Sequence, residues 1–210
     1  DRLIDMLAQG AGTVPARSAA RRMGWALALG LPFSVAIVGL DYGFRPDLAT
    51  VAQLPMFWMK LLFPAVLAVA GFVASERLGR PGMRLGAWRF AFALPVLALW
   101  LMAAVVLLNA PPAERMPLVL GQTWRTCALS IAFIALPVFI AALLAQRSLA
   151  PTRPAHAGAA AGALAGGASA AVYALHCPEL QAPFLAVWYV AGIALTVLVG
   201  ALVGRFALRW

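Results

Sequence analysis

Six stretches of this chain, residues 23–40, 56–75, 90–109, 127–146, 157–176 and 184–204, are nearly unbroken runs of Leu, Ala, Val, Phe, Ile and Gly. About 20 apolar residues in a helix cover the roughly 30 Å hydrocarbon core of a bilayer. In lipid the backbone has no water to bond to, so only helices and closed barrels satisfy it. Runs this long without alternating polarity favour helices over a barrel. The pattern predicts an all-α polytopic membrane protein, with a bundle of six transmembrane helices over residues 23–210 and a short leading segment over residues 1–22.

The charges agree. Only 11% of residues are charged, against about 25% in soluble domains, and mean hydropathy is +0.90. A formal charge of +9 raises the question of nucleic acid, yet the basic residues form no stripe and instead fall in clusters between the apolar runs. Arg2, Arg17, Arg21 and Arg22 precede the first run, Arg77, Arg80, Arg84 and Arg89 follow the second, Arg147 and Arg153 follow the fourth, and Arg205 and Arg209 close the chain. The alternate side holds only Arg45, Arg115 and Arg125. By the positive-inside rule the first side is cytoplasmic, which places both termini inside and the basic clusters against anionic lipid headgroups. No cleavable signal is visible; the chain begins at Asp1 without Met, and a short preceding piece is expected.

Within the fifth run, Gly158, Gly162, Gly166 and Gly167 leave a face without side-chain bulk, so this helix is expected inside the bundle. Pro32, Pro64, Pro95 and Pro137 sit within runs, where each removes a backbone donor. Lys60 is the one Lys or Arg inside the runs. Its depth suggests an interfacial anchor beside Trp58 that snorkels to the surface, the sharper alternative being a pair with Asp41. Tyr42, Trp88, Trp124, Trp188, Tyr189 and Trp210 read as belt residues at the membrane boundaries.

The topology puts Cys127 at the start of the fourth helix and Cys177 just after the fifth, both at the outer, oxidising boundary. Helices joined by the short connection 147–156 are antiparallel neighbours, which brings the thiols near each other across fifty residues. Trp124 and Arg125 precede the first thiol; His176, Pro178 and Glu179 surround the second. A cation beside a thiol raises its thiolate fraction, and with it reactivity toward oxidants and soft metals. Cys127, Cys177 and His176, with Glu179, form a tentative metal-ligand set; one inert disulfide, or two small buried fillers, is the plain alternative. No resident cofactor is expected beyond transient heavy-metal binding.

At the N-terminus, Leu3, Ile4 and Leu7 share one helical face with Arg2 and Asp5 off it, before Gly10, Gly12 and Pro15 break the pattern. Such a segment suits either a groove on a soluble partner or the bilayer surface.

These residues together resemble a family. The N-terminal Arg2-Leu-Ile-Asp5-Met-Leu, the Arg45-Pro-Asp47-Leu turn, the run from Pro55 to Pro64, Thr123-Trp-Arg-Thr-Cys127, and Leu175-His-Cys-Pro-Glu179 followed by Ala-Pro-Phe and Trp188-Tyr189 are similar to the NrsF family of membrane-embedded anti-sigma factors. The resemblance implies a non-enzymatic regulator in the bacterial inner membrane that sequesters a cognate extracytoplasmic-function (ECF) sigma factor. Release would follow when Cys127 and Cys177, on the periplasmic side, meet heavy-metal or oxidative stress. It assigns these cysteines as the sensor and the segment bearing Leu3, Ile4, Asp5 and Leu7 as candidate sigma-factor contact, with no direct nucleic-acid binding. A periplasmic-facing thiol oxidoreductase would want a C-x-x-C pair, and a small transporter would want ionisable groups at mid-membrane; the sequence has neither apart from Lys60.

Overall fold

In the computed structural model, residues 18–209 are described, and every regular element among them is helical. Leu3, Ile4, Asp5, Leu7 and Trp210 lie outside the described residues. Helix α1, Ser18–Ile37, widens into a π-helical turn at Val38–Tyr42. A single turn at Leu48–Val51 leads into α2, Pro55–Leu78. A 3-10 turn at Gly86–Arg89 opens α3, Phe90–Asn109, and a short surface helix α4, Pro112–Leu120, follows. The fourth apolar run divides into α5, Trp124–Ile134, and α6, Leu136–Arg147. Then come α7, Pro154–Tyr173, a π-helical turn at Leu185–Tyr189 and α8, Val190–Ala207.

Proline marks several starts. Pro55, Pro112 and Pro154 stand in the first turn of α2, α4 and α7, where a missing N–H costs nothing because those donors have no partner within the helix. Pro137 acts differently. It falls inside a predicted span and breaks it at Ala135, and the Ser34 hydroxyl donates to the Ile134 carbonyl at the break, 2.7 Å away.

Among the described residues, five helical segments are long and apolar enough to cross a membrane: Ser18–Tyr42, Pro55–Leu78, Gly86–Asn109, Pro112–Arg147 and Ala182–Ala207. The fifth expected span corresponds to α7, a 20-residue helix made mainly of Ala and Gly, with lower hydropathy than the others. It is the centre of the molecule. Residues 160–170 are all buried. Along one side Gly158, Gly162 and Gly166 meet the backbone or side chains of Gly200, Thr196 and Gly204 in α8; on the other, Gly167 meets Ala68 and Pro64 of α2, and Gly71 meets Leu164. A β-carbon at Gly167 would stand 2.5 Å from the Ala68 nitrogen, and one at Gly204 would stand 2.7 Å from the Pro154 oxygen. Lipid tails are as apolar as leucine, so association rests on this close packing rather than on exclusion of water. By contrast α3 leans on the bundle, with only 11% of its most apolar stretch buried.

The helix ends sort by charge. Arg22 donates to the Ser148 carbonyl, 2.9 Å, joining the start of α1 to the end of α6. Gln146 Nε2 donates to the Ser75 carbonyl, 2.9 Å, and Leu149 lies over Gly79, so the end of α2 is there too, with Arg77 and the Arg80–Glu76 ion pair. Gly204 packs on Pro154 at the same end. The arginine-rich connections thus gather at one end of the bundle, and both cysteines lie at the other.

Packing of this kind makes a direct prediction. Gly167→Val is expected to destabilise the folded bundle by about 1–3 kcal/mol through overpacking, whereas Gly24→Val, at a position with nothing within 4 Å, stays within about 0.5 kcal/mol of the unaltered chain. Equilibrium unfolding in mixed micelles reads both.

Candidate functional site

The end opposite the arginine clusters is built around the carboxyl end of α7. The last carbonyls of a helix have no partner within it and carry the negative end of its dipole. Most of those of α7 are taken by the N–H groups of the turn from Ala174 to Cys177, and cations meet the carbonyls just beyond it. The Lys60 ammonium from α2 donates to the Cys177 carbonyl, and Arg45 Nη1 donates to the same oxygen at 3.3 Å and to the Pro178 carbonyl at 3.5 Å. The Arg45 backbone N–H donates to the Leu175 carbonyl, 3.1 Å. Arg45 is fixed in turn by two parallel hydrogen bonds to Asp47, at 2.7 and 2.8 Å.

Neither expectation for Lys60 holds. Its side chain is fully buried, so it does not snorkel, and its contacts are the Cys177 carbonyl and the Tyr189 ring, 5.7 Å to the centroid, rather than Asp41. Trp58, its expected partner at the surface, bonds instead to the Ala52 carbonyl, 2.9 Å. The reason is rotational: Lys60 occupies the face of α2 that points at α7, where a carbonyl awaits a donor. Burial of an ammonium costs several kcal/mol unless it is paired or hydrogen-bonded, which makes its contacts here specific. Tyr189 likewise is no belt residue. It is 0% exposed, stacked at 6.2 Å on Tyr173. Its hydroxyl lies beside Cys177 without the geometry of a full hydrogen bond.

The two thiols meet at this place. Cys127, in the first turn of α5, and Cys177, just past α7, are both 0% exposed, unpaired as a disulfide, and members of one buried cluster with Ile131, Tyr173 and Tyr189. Ser169 of α7 donates to the Ile131 carbonyl of α5, 3.0 Å, which fixes the register of the two helices beneath the sulfurs. Two neighbouring free thiols shielded from bulk solvent become, on deprotonation, a nucleophile toward small oxidants and a ligand pair for soft cations.

The flanking residues fasten the site. His176 donates from Nδ1 to the Gly43 carbonyl, 2.8 Å, and its ring packs between Tyr42 and Tyr173, at 5.3 and 5.5 Å between centroids. Glu179 Oε1 accepts from the Gln122 N–H at 2.6 Å, latching the loop before Cys127 to the loop after Cys177. Gly121 has φ +55°, and a β-carbon there would stand 2.7 Å from the Glu179 carboxyl; only glycine suits both demands. Trp124 packs on Trp188 at 5.5 Å with the Arg125 guanidinium over its ring. Among the described residues no three of His, Cys, Asp and Glu converge as metal ligands. His176 and Glu179 therefore brace the pair, and the donors that meet are two sulfurs.

Comparisons with known proteins converge on one family. The family model described as negative regulator of sigma F matches residues 7–210. A probable anti-sigma-F factor NrsF of Azospira oryzae is 46% identical over 208 residues, covering 99% of this chain and 98% of that protein. The anti-sigma-F factor NrsF of Caulobacter vibrioides is 38% identical, covering 100% of this chain and 99% of its own length. No solved structure matches.

The Arg45–Asp47 clamp predicts a pH dependence. Hydrogen bonds from Arg45 hold the Asp47 carboxyl below its ordinary range, so the clamp is intact at neutral pH, persists through the ordinary carboxylate range near about 4, and is lost as pH falls through the lowered folded-state value. Hydrogen exchange at the Arg45 amide is expected to accelerate on that acid limb, and Asp47→Asn is expected to remove the transition. An acid limb unchanged in Asp47→Asn would assign it to another group.

Proposed function

The chain belongs to the NrsF family, and on that footing we propose that it is a six-span anti-sigma factor of the bacterial inner membrane, with both termini cytoplasmic, whose Cys127–Cys177 pair senses stress from the periplasmic side. The anti-sigma role carried by its relatives implies a sigma factor as partner, here a cognate ECF sigma factor held against the inner face. The observation that carries the sensor reading is the meeting of the two free thiols at the end of the bundle away from the arginine clusters. Arginine distribution supports the orientation, since clusters of this kind stay on the cytoplasmic side. Counting α7 as a span rests on its 20-residue length and its place between α2 and α8.

Burial narrows the inducer. With both sulfurs 0% exposed, a protein thiol has no line of attack, and small diffusible oxidants or soft metal ions are the chemistry that fits. This favours a sensor over a thiol oxidoreductase. Two sulfurs in contact suit a two-coordinate soft cation or a disulfide, either of which alters the separation of α5 and α7. Moving the bundle from mostly holding to mostly releasing takes about 5 kcal/mol of differential stabilisation, a scale that a disulfide or a metal dithiolate approaches. On the inner face, the segment bearing Leu3, Ile4, Asp5 and Leu7 supplies the apolar contact to the sigma factor.

Replacing Cys127 and Cys177 together by Ser is expected to leave the sigma factor membrane-bound and to abolish its release by oxidant or soft metal, measured by co-purification and by a sigma-dependent reporter. Normal induction in that variant would sink the sensor assignment. Leu3→Asp with Leu7→Asp is expected to free the sigma factor without stress while the bundle still inserts; retained sequestration would move the docking surface to the loops.

A further inference from the structure

Lys60 and Gln146 close a ring through the bundle. From the Cys177 carbonyl, Lys60 passes to α2; fifteen residues along α2, a rise of about 22 Å, the Ser75 carbonyl accepts from Gln146 of α6. Across the break at Ala135, α6 returns to α5 and Cys127, which shares a buried cluster with Cys177. Any change in the separation of the sulfurs must be absorbed somewhere on this ring. The Ser169 hydrogen bond and the packing of α7 on α8 resist sliding between α5 and α7.

The far end of the ring is not at its best arrangement. Ser75 and Gln146 are both 0% exposed, yet Ser75 Oγ and Gln146 Oε1 have no hydrogen-bond partner, and neither has Arg77 Nε. Buried polar atoms are nearly always paired. Ser75 Oγ on α2 can donate and Gln146 Oε1 on α6 can accept, so a rearrangement of the two helices that pairs them would satisfy both. A second arrangement is thus within reach at the arginine-rich end, next to the connection carrying Arg80, Arg84 and Arg89.

We infer that Lys60 is a positioning residue that couples the thiol pair to the opposite end of the molecule: it carries displacement of the Cys177 carbonyl into α2, and α2 delivers it to the Ser75–Gln146 contact. This rests on the sensor reading of the two cysteines and adds the route by which their state reaches the other face. Lys60 does not react; it holds α2 to the one carbonyl that moves with Cys177. A simple capping role would stabilise the end of α7 without linking the two ends.

The test uses the full chain in nanodiscs, both faces exposed, with diamide as the probe. Diamide takes two electrons and both thiol protons to become its hydrazine as the Cys127–Cys177 disulfide forms; disulfide yield is counted by maleimide mass-tagging of the unfolded chain. Trypsin cleavage at Arg84 and Arg89 reports the far end, and in the unaltered chain its rate is expected to change by at least about threefold on oxidation, as cleavage follows local opening. Lys60→Met, and Lys60→Gln, which keeps a donor but shortens the reach, are compared with the unaltered chain at matched disulfide yield, with diamide exposure adjusted to reach it, and are expected to show no change in cleavage rate. Gln146→Leu leaves the thiol site untouched and is expected to lose the response as well. A full cleavage response in oxidised Lys60→Met or Gln146→Leu overturns the coupling, as does an unaltered chain that oxidises without any response. Diamide-dependent cleavage that persists when both cysteines are Ser overturns the sensor reading instead, so the two failures are distinguishable.

Discussion

Everything in this bundle depends on how closely backbones approach α7. A helix of Ala and Gly has little to offer a hydrophobic core in water, but in lipid the useful quantity is contact, and contact grows as side chains vanish. Gly158, Gly162 and Gly166 admit α8 on one face; Gly167, opposed by Ala68 and Pro64, and Leu164, opposed by Gly71, admit α2 on the other. Because α7 is gripped on both sides, its carboxyl end has a fixed position, and the groups that converge there inherit it. Cys177 is held beside Cys127, and its carbonyl beside Lys60, by glycines a full turn or more away.

Much of this was legible in the chain itself. Apolar run length located the helices, since each run had to span a bilayer or fail to be stable, and four glycines in one run marked the interior helix. The meeting of Cys127 and Cys177 followed from antiparallel neighbours and matched depth. What depth alone does not give is rotation about a helix axis. Lys60 and Tyr189 sit at the depth expected of boundary residues, yet both turn inward. A carbonyl end without a partner attracts a donor from any neighbour, and that acceptor is created by tertiary structure, invisible in the run of residues around position 60. The signal available was chemical: one ammonium among runs otherwise bare of Lys and Arg. His176 and Glu179 were found as neighbours of the thiols, but their side chains spend their hydrogen bonds on Gly43 and Gln122, a choice set by loops whose course no spacing rule specifies.

The site joins two kinds of chemistry that seldom share a place. Sulfur is soft and polarisable, at home in an apolar core; ammonium and guanidinium groups are not. The carbonyls past the end of α7 reconcile them, accepting from Lys60 and Arg45 while the sulfurs pack among Tyr173, Tyr189 and Ile131. A reagent that changes the sulfurs therefore acts on a spot where a helix terminus, two cations and two loops are already tied together. A covalent or metal-binding event at the sulfurs would therefore bear on several elements of the bundle at once.

The looseness of α3 has a consequence of its own. Its surface faces outward along most of its length, and its firmest tie is the Trp100 indole donating to the Ala186 carbonyl at 3.0 Å. Once inserted, such a helix stays because leaving the bilayer is prohibitive, not because its neighbours hold it. Its outward face is then free to drift among greasy alternatives, while Leu99 and Ala103, buried in the cluster that holds both cysteines, fix the side turned toward the bundle.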